Sequence, residues 1–281
     1  MADFRVITQN QGFDSDTSPP WQMVPVSGTR QVALAGGTGL TLRSTDSSVA
    51  TATEVRSRAS GAGGAAATGT RTIEIRGNKA GRAFIEAQSG SRTACRLEVA
   101  VKRLKTVRIA FNFVRDNAGH QTRRAAASVG AWITSMNNIL TPQANVRCTR
   151  RSAQTVRVNQ DLGSVVRYTS HIRGVAASEH EWDDVVALRD RTADLNIFFV
   201  WEYEQDSTPG TDNVGAAQLG TDCLFEDNVL GAVGTVLAHE TGHYLNCPDV
   251  RGSGNRGLLM YYHGSRNGIR ITKAHANLMN P

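Results

Sequence analysis

The sequence predicts a protein of two domains, an all-β domain over residues 1–102 followed by an α+β domain over residues 103–281. The chain of 281 residues exceeds the usual size of a single domain. Short stretches that alternate apolar and polar residues fill the first part, and helical periodicity appears among strands only after residue 103. We therefore expect a β-sandwich and then a mixed sheet with helices.

The alternating stretches of the first domain, among them residues 31–34, 72–75 and 96–101, are separated by turn residues. Two further segments, residues 44–50 and 79–87, resemble bacterial immunoglobulin-like (group 2) domains. The resemblance implies an immunoglobulin-like sandwich that serves as a spacer or a surface-binding module. A β-sandwich without a ligand is the simpler interpretation of the same pattern.

The second domain begins with an alternating strand at residues 106–113, and residues 121–140 follow with apolar residues at helical spacing. We expect further strands around Val146, Val156 and Val165, and a buried strand at residues 197–201.

The segment 239–243, with the sequence HETGH, is the most informative motif of the chain. Residues four apart lie on the same face of a helix, so His239 and His243 can present two imidazole nitrogens to one metal ion. Glu240 can then act as a general base on a water molecule and later as a general acid toward a leaving amine. The pattern indicates peptide hydrolysis at a Zn²⁺ site.

A third protein ligand is needed, because two histidines do not complete a catalytic zinc site. No glutamate follows His243, so Asp249, His263 and His275 are the candidates, and Asp249 is the best placed. In a continuing helix Asp249 would lie about 9 Å along the axis from His243. The helix must therefore end between them and the chain must turn back.

Signals for both ends of this helix are present. Asp227 or Asn228 can cap its start. Asn246 tolerates the left-handed conformation that ends helices, and Pro248 cannot continue one. The stop signals therefore fall where the third ligand requires them.

The whole motif resembles the metzincin clan of metallopeptidases, whose pattern is HExxHxxGxxH or HExxHxxGxxD. Here Asn246 replaces the glycine and Asp249 occupies the last position. The resemblance covers about residues 103–281 and implies that His239, His243 and Asp249 bind Zn²⁺.

Two further features follow from this resemblance. Residues 257–262 look like the methionine turn of the family; Met260 would be its methionine, and Tyr262 would contact the metal or the transition state. An exposed edge strand would bind an extended substrate peptide as an added strand. Its residues would be Gly215, Ala216, Ala217 and Gln218.

Cys247 leaves alternatives open. Its thiolate could bind the metal and convert the site into a structural one, although the placement of Glu240 argues against this. A disulfide bond to Cys223, or a buried thiol, is the competing interpretation. The four cysteines, Cys95, Cys148, Cys223 and Cys247, are compatible with an oxidising compartment without proving one.

The composition of the chain limits the classes of partner that we expect it to bind. The formal charge of +6 is spread along the chain without interleaved aromatic residues, which argues against nucleic acid. No apolar run approaches the roughly 20 residues of a membrane span, so we expect no membrane insertion. The first residues do not read as a conventional signal peptide, so a bacterial effector exported by a dedicated machinery is expected. We further expect a monomer, with an inhibitor or immunity protein as a possible partner.

The combined interpretation is a zinc endopeptidase. One rival keeps the chemistry but changes the substrate to cell-wall peptides, as in a toxin. A second rival is an adhesion or binding protein whose zinc is structural and whose β-domain carries the function.

Overall fold

A computed structural model describes residues 2–55, 70–167, 181–204, 216–229, 231–262 and 268–281. The chain forms two compact units. The first comprises Met1–Lys105, Leu140–Val146 and Arg270–Pro281, and the second comprises Thr106–Ile139 and Arg147–Ile269. The division into independent domains at residue 102 stays a prediction.

The first unit is built from strands and one short helix. Its elements are β1 (Asp3–Val6), β2 (Phe13–Asp14), β3 (Trp21–Pro25), β4 (Thr29–Ala35), β5 (Thr41–Ser44), β6 (Ala50–Val55), β7 (Arg71–Gly77), β8 (Gly81–Ser89), β9 (Arg92–Lys102) and the helix α4 (Lys273–Met279). One sheet is antiparallel and has the strand order β1-β4-β7-β6. The other has the order β2-β3-β9-β8-β5, in which only β3 and β9 run parallel.

A single hydrophobic core is shared by these two sheets. Val32 and Ile73 from one sheet and Ile85 and Val99 from the other are completely buried in the same cluster. Since successive side chains of a strand point to opposite faces, the alternating sequence places one face of each sheet in this core. The strand-rich, two-sheet arrangement predicted for the first residues is therefore present, and its immunoglobulin-like nature stays a prediction.

The last residues of the chain are held in the first unit by polar contacts. The Asn280 side-chain amide donates to the backbone carbonyls of Arg103 (2.9 Å), Ala144 (3.0 Å) and Asn145 (3.2 Å). The buried Lys102 ammonium donates to the Asn280 carbonyl.

The second unit is an α+β fold around one mixed sheet. Its elements, apart from Lys105 and residues 140–146, which belong to the first unit, are β10 (Lys105–Arg115), α1 (Val129–Ala144), β11 (Val146–Arg157), β12 (Val166–Arg167), α2 (Trp182–Val186), β13 (Leu195–Val200), β14 (Tyr203–Glu204), β15 (Ala216–Leu219), β16 (Asp222–Glu226) and α3 (Val233–Tyr244). The main sheet has the order β11-β10-β13-β16-β15. Strands β10, β13 and β16 are parallel, and β15 runs antiparallel along one edge.

Strand β13 divides its side chains between two faces of this sheet. Phe198 packs edge-on against Trp182 of α2, at 5.5 Å between ring centroids. Phe199 points to the opposite face and meets Trp132 of α1 at 5.0 Å. A buried strand at this point agrees with the sequence prediction.

Two predicted boundaries differ from the structure. Helix α1 begins at Val129 and not near residue 121, because the backbone N–H of Arg123 and the hydroxyl of Thr122 donate to the distant Asp227 carboxylate. The strands expected around Val146 and Val156 are one continuous strand, β11.

Among the described residues, no helix is both long and apolar enough to cross a membrane.

Candidate metal centre

Helix α3 carries the HETGH segment, as the sequence predicts. Its start differs from the expectation, since Ala232 is the N-cap and provides no side-chain hydrogen bond. The predicted caps lie upstream: Asp227 is engaged with residues 122–123, and Asn228 donates to Glu202. Packing must therefore stabilise the first turn of this helix.

Close approach to α1 supplies that packing. A Cβ atom added to Gly234 would lie 2.4 Å from the Cβ atom of Ser135 on α1. Only a glycine allows the two helices to come this close. Because α1 also packs on the sheet through Trp132, the sheet, α1 and α3 are held in one arrangement.

The end of α3 is a Schellman motif. Asn246 has a φ of 67°, its N–H donates to the His243 carbonyl at 2.9 Å, and the Cys247 N–H donates to the Gly242 carbonyl at 2.9 Å. Asn246 thus adopts the left-handed conformation for which the family pattern has a glycine. The turn reverses the chain and returns Asp249 toward the two histidines.

The side chains of His239, His243 and Asp249 converge on one point. The two histidine Nε2 atoms are 3.0 Å apart, and Asp249 Oδ1 lies 3.5 Å from His239 Nε2 and 3.4 Å from His243 Nε2. Donor atoms at about 2.0–2.1 Å from a tetrahedral zinc ion lie about 3.3–3.4 Å from each other. This group of residues could therefore hold a divalent metal ion such as Zn²⁺.

Backbone carbonyls orient both imidazole rings. His239 Nδ1 lies 2.7 Å from the Leu259 carbonyl oxygen, and His243 Nδ1 lies 2.8 Å from that of Cys247. A carbonyl oxygen can only accept, so each Nδ1 carries the hydrogen and each neutral ring directs the lone pair of Nε2 toward its neighbour. Such partners beyond the ligands are what metal-binding histidines require.

Charge around this point favours a cation. Burial acts to lower the pKa of His243, but the hydrogen bond with Asp249 and the charges of Glu240 and Asp249 raise it above its usual value. Burial acts to raise the pKa of Asp249, but His243, His239 and Arg251 together hold it below its usual value.

Glu240 is buried beside the donor atoms. Burial, with a smaller contribution from the charge of Asp249, raises the pKa of Glu240 to about 7 against the lowering effect of His243. A carboxyl group with a pKa near neutral can both take up and release a proton at physiological pH. The role of Glu240 as a general base and acid stays a prediction.

The segment around Met260 lies against the ligands. Met260 is completely buried, its carbonyl accepts from the Val250 N–H at 2.7 Å, and the Tyr262 N–H donates to the Val250 carbonyl at 3.2 Å. The neighbouring Leu259 supplies the carbonyl that orients His239. This segment therefore orients His239 and fixes the residue that follows Asp249, and its identity as a methionine turn stays a prediction.

The remaining candidate residues lie elsewhere or outside the described residues. His275 is buried in α4 of the first unit, where it contacts Thr272, and it does not belong to the group of donor residues. His263 and Gly215 lie outside the described residues. Within the described chain, no disulfide bond joins Cys247 to Cys223. The donor group does not include the Cys247 thiol.

The predicted substrate strand corresponds to β15. Ala216, Ala217 and Gln218 belong to this strand, which ends the strand order of the main sheet in the described residues. Its outer side thus has the unpaired backbone groups that an edge strand presents. Its role in substrate binding stays a prediction.

Two features of the second unit were not anticipated from the sequence. One is Arg251, whose guanidinium lies over the Tyr262 ring, 5.6 Å from its centroid. The other is a group formed by Asp116, His120 and Asp161. The sequence DNAGH is a signal for the tight turn around Asp116, but nothing in it indicates that Asp161 lies nearby.

This second group is a structural turn. The buried Asp116 carboxylate accepts the backbone N–H groups of Gly119 and His120, both at 2.8 Å, and that of Leu162 at 3.1 Å. It also contacts His120 Nδ1 at 2.7 Å. These contacts occupy the oxygen atoms that a metal ion would need.

Neither a protein-family model nor a curated protein matches this chain. Among solved structures, archaemetzincin from Methanopyrus kandleri is similar at 13% identity and a TM-score of 0.42, over 62% of this chain and 93% of that chain. Domains 4 and 5 of the S-layer protein SbsC are similar at 17% identity and a TM-score of 0.23, over 36% of this chain and 53% of that chain. Domains 5-6 of the same protein are similar at 16% identity and a TM-score of 0.22, over 36% and 45%. Similarity at this level is not informative about activity.

Proposed function

We propose that this protein is a zinc-dependent endopeptidase whose metal ligands are His239, His243 and Asp249. The observation that carries the proposal is the convergence of three electron-rich atoms within 3.0–3.5 Å of each other. Two imidazole lone pairs and a carboxylate repel one another unless a proton or a cation lies between them. The spacing, the donor types and the oriented Nδ1–H groups are those of a zinc site with three protein ligands.

Bound Zn²⁺ would lower the pKa of water from 15.7 toward ~7 and polarise the scissile carbonyl group. Glu240 takes a proton from the attacking water while the oxygen atom bonds to the carbonyl carbon. Glu240 then gives that proton to the leaving nitrogen as the C–N bond breaks. The proton that Glu240 accepts is thus returned within one turnover.

The buried position of Glu240 supports this role. Burial brings its pKa to about 7 when no cation is bound, and bound Zn²⁺ would favour the carboxylate form that accepts the proton of the attacking water. Meanwhile Leu259 and Cys247 keep the imidazole rings in the orientation that exposes Nε2. In this proposal, the carbonyl groups of Leu259 and Cys247 orient the two histidines, and Glu240 transfers the proton.

An extended peptide is the proposed substrate. Strand β15 follows the edge of the main sheet, and a substrate that pairs with it would bind through main-chain hydrogen bonds. Ala216, Ala217 and Gln218 would provide these contacts, and the exposed Tyr262 would meet the reacting centre.

Glu240→Gln is the direct test. This variant keeps the shape of the side chain but cannot accept the proton, so we expect zinc content equal to that of the parent chain and loss of peptide hydrolysis. The matched variant Asp249→Asn should instead lose zinc, measured by metal analysis after gel filtration. Zinc loss in the Glu240 variant, or full zinc binding in the Asp249 variant, would contradict the assigned roles.

The alternative functions are tested in the same assay. Cell-wall peptides share the amide chemistry, so purified cell wall and denatured protein should be compared as substrates. A structural zinc site needs a fourth protein ligand, and the donor group of the described residues contains only three. An immunoglobulin-like first unit, export as a bacterial effector and control by an immunity protein complete the proposal.

A further inference from the structure

Arg251 is fixed beside the metal ligands by backbone contacts. It lies two residues beyond Asp249, and Val250 between them is hydrogen-bonded in both directions to Met260 and Tyr262. Two residues of extended chain span at most about 7 Å. The Arg251 backbone therefore has a defined place close to the reacting centre.

The Arg251 side chain is held over an aromatic ring and remains accessible. Its guanidinium carbon lies 5.6 Å from the centroid of the Tyr262 ring, and Tyr262 is 48% exposed. Stacking on a ring leaves the edge N–H groups of a guanidinium available as donors. The ring thus restricts the side chain without consuming its hydrogen-bonding capacity.

Within the described part of the chain, Arg251 forms no ion pair with a carboxylate, although its charge acts on the nearby Asp249. Two other arginines of the same unit do form ion pairs: Arg108 with Asp194 at 2.7 Å, and Arg167 with Glu181 at 2.6 Å. Arg251 is therefore a positioned, exposed cation next to the metal ligands, with a hydrogen-bonding edge that an anion can occupy.

We propose that Arg251 is a specificity-determining residue that binds a carboxylate group of the substrate. An extended peptide advances about 3.3 Å per residue, so this carboxylate lies within about three residues of the scissile bond. The inference rests on the proposed peptidase function and adds a substrate class to it, namely peptides that carry a carboxylate close to the cleaved bond.

Two sources can supply this carboxylate: an Asp or Glu side chain, or the C-terminus of a peptide. Both accept the paired N–H groups of a guanidinium in the same way. Peptides that differ only as Glu against Gln, and peptides that differ only as free against amidated C-terminus, distinguish the sources.

The experiment measures kcat/KM of the zinc-loaded chain of 281 residues on these peptide pairs, for the parent and for three variants. Arg251→Gln removes the charge, Arg251→Lys keeps the charge without the planar fork, and Arg256→Gln removes a charge from the same loop. Arg256 is an exposed arginine that forms no ring contact in the described residues, which makes it the matched control. Thermal melting of each variant confirms that the fold is intact.

In one of the two pairs, we expect kcat/KM of the parent to be about 10-fold higher for the carboxylate-bearing peptide than for its neutral partner. This ratio corresponds to the net contribution of one hydrogen bond to a charged group. Arg251→Gln should reduce that preference to less than about twofold, because cleavage of the carboxylate-bearing peptide falls more than cleavage of the neutral one. Arg251→Lys should keep part of the preference, and Arg256→Gln all of it. The preference should also fall as salt is raised.

Cleavage by the parent without preference in either pair would overturn the inference and leave the peptidase function standing. An equal loss for neutral and acidic peptides in Arg251→Gln would also overturn it, because the residue would then act on the reaction itself. If the zinc-loaded parent cleaves no peptide, the proposed function fails, and this inference fails with it.

Discussion

Substitution of Asn246 tests whether the turn that ends α3 sets the affinity for metal. Asn246 is exposed and has a φ of 67°, so replacing it removes little packing and mainly changes the cost of the left-handed backbone. That conformation costs about 1–2 kcal/mol for an ordinary L-residue and less for asparagine. We expect a loss of about 1 kcal/mol for Asn246→Ala and about 2 kcal/mol for Asn246→Val.

Glycine should behave differently. Asn246→Gly removes the backbone strain but adds about 0.5–1 kcal/mol of chain entropy to the unfolded state, so the two effects nearly cancel. At roughly 2–4 °C per kcal/mol, the valine variant should melt about 4–8 °C below the parent, with the glycine variant close to the parent. Melting curves with added zinc and with a chelator measure these shifts.

The effect on metal arises through the carbonyl of Cys247. If the valine variant relaxes its turn, this carbonyl leaves His243 Nδ1, which it now meets at 2.8 Å. Loss of such a partner weakens metal binding by 10–100-fold, so we expect a zinc Kd raised at least about 10-fold, measured by competition with a chromophoric chelator.

A matched control separates strain from ligand orientation. Asn10 of the first unit also has a positive φ, 58°, and belongs to a different unit from the donor atoms. Asn10→Val should lower the melting temperature by a similar amount and leave zinc affinity unchanged. Equal zinc affinity in Asn246→Val and the parent, or equal weakening by Asn10→Val, would refute the reasoning.

Two more substitutions probe the second unit. Gly234→Ala should lower the free energy of unfolding by about 1–3 kcal/mol, because its Cβ would lie 2.4 Å from that of Ser135. In thermal melts, adding Ser135→Gly to the same chain should restore much of this loss. A double variant that is as unstable as Gly234→Ala alone would contradict the contact. Burial, reinforced by the charges of Glu202 and Glu204, raises the pKa of Glu226 to about 7 from 4.5. The folded state therefore holds this proton more tightly than the unfolded one, so the stability that Glu226 contributes is complete below pH 4.5 and is lost as the pH rises through about 7. Between pH 4.5 and pH 8 the free energy of unfolding of the parent should fall by about 2 kcal/mol, after allowance for solvent screening. The Glu226→Gln variant should not show this fall in its urea midpoints, and equal pH profiles for the two proteins would argue against a raised pKa of Glu226.

The end of α3 was predictable because it depends on one residue and its neighbours. Asn246 and Pro248 are local signals, and the backbone of Asn246 follows them. Because the helix ends there in a turn that reverses the chain, the Asp249 carboxylate comes within 3.5 Å of both histidines. The approach of the Asp249 carboxylate to the two histidines therefore agrees with the prediction, and the role of these residues as metal ligands stays a prediction.

The start of α3 was not predictable for the opposite reason. Asp227 is a good helix cap by composition, but its carboxylate accepts hydrogen bonds from Thr122 and Arg123, about one hundred positions earlier in the chain. The same contact delays the start of α1 to Val129. One long-range contact therefore displaced two predicted helix boundaries.

Arg251 shows the same limit at the site. Its significance depends on the Tyr262 ring beneath it, eleven residues away, and no periodic pattern links these two positions. The backbone pairing of Val250 with Met260 brings them together. Contacts of this kind arise from the tertiary fold and have no signal in the sequence.

The anchoring of the last residues decides how this protein can be dissected. A fragment starting at residue 103 would keep Asn280 but lose Lys102 and most of the strands around it, and a fragment ending at residue 102 would lose Asn280. Each piece would expose polar groups and apolar strand faces that now have partners. Contributions of the two units are therefore better assigned by point substitutions in the intact chain than by truncation.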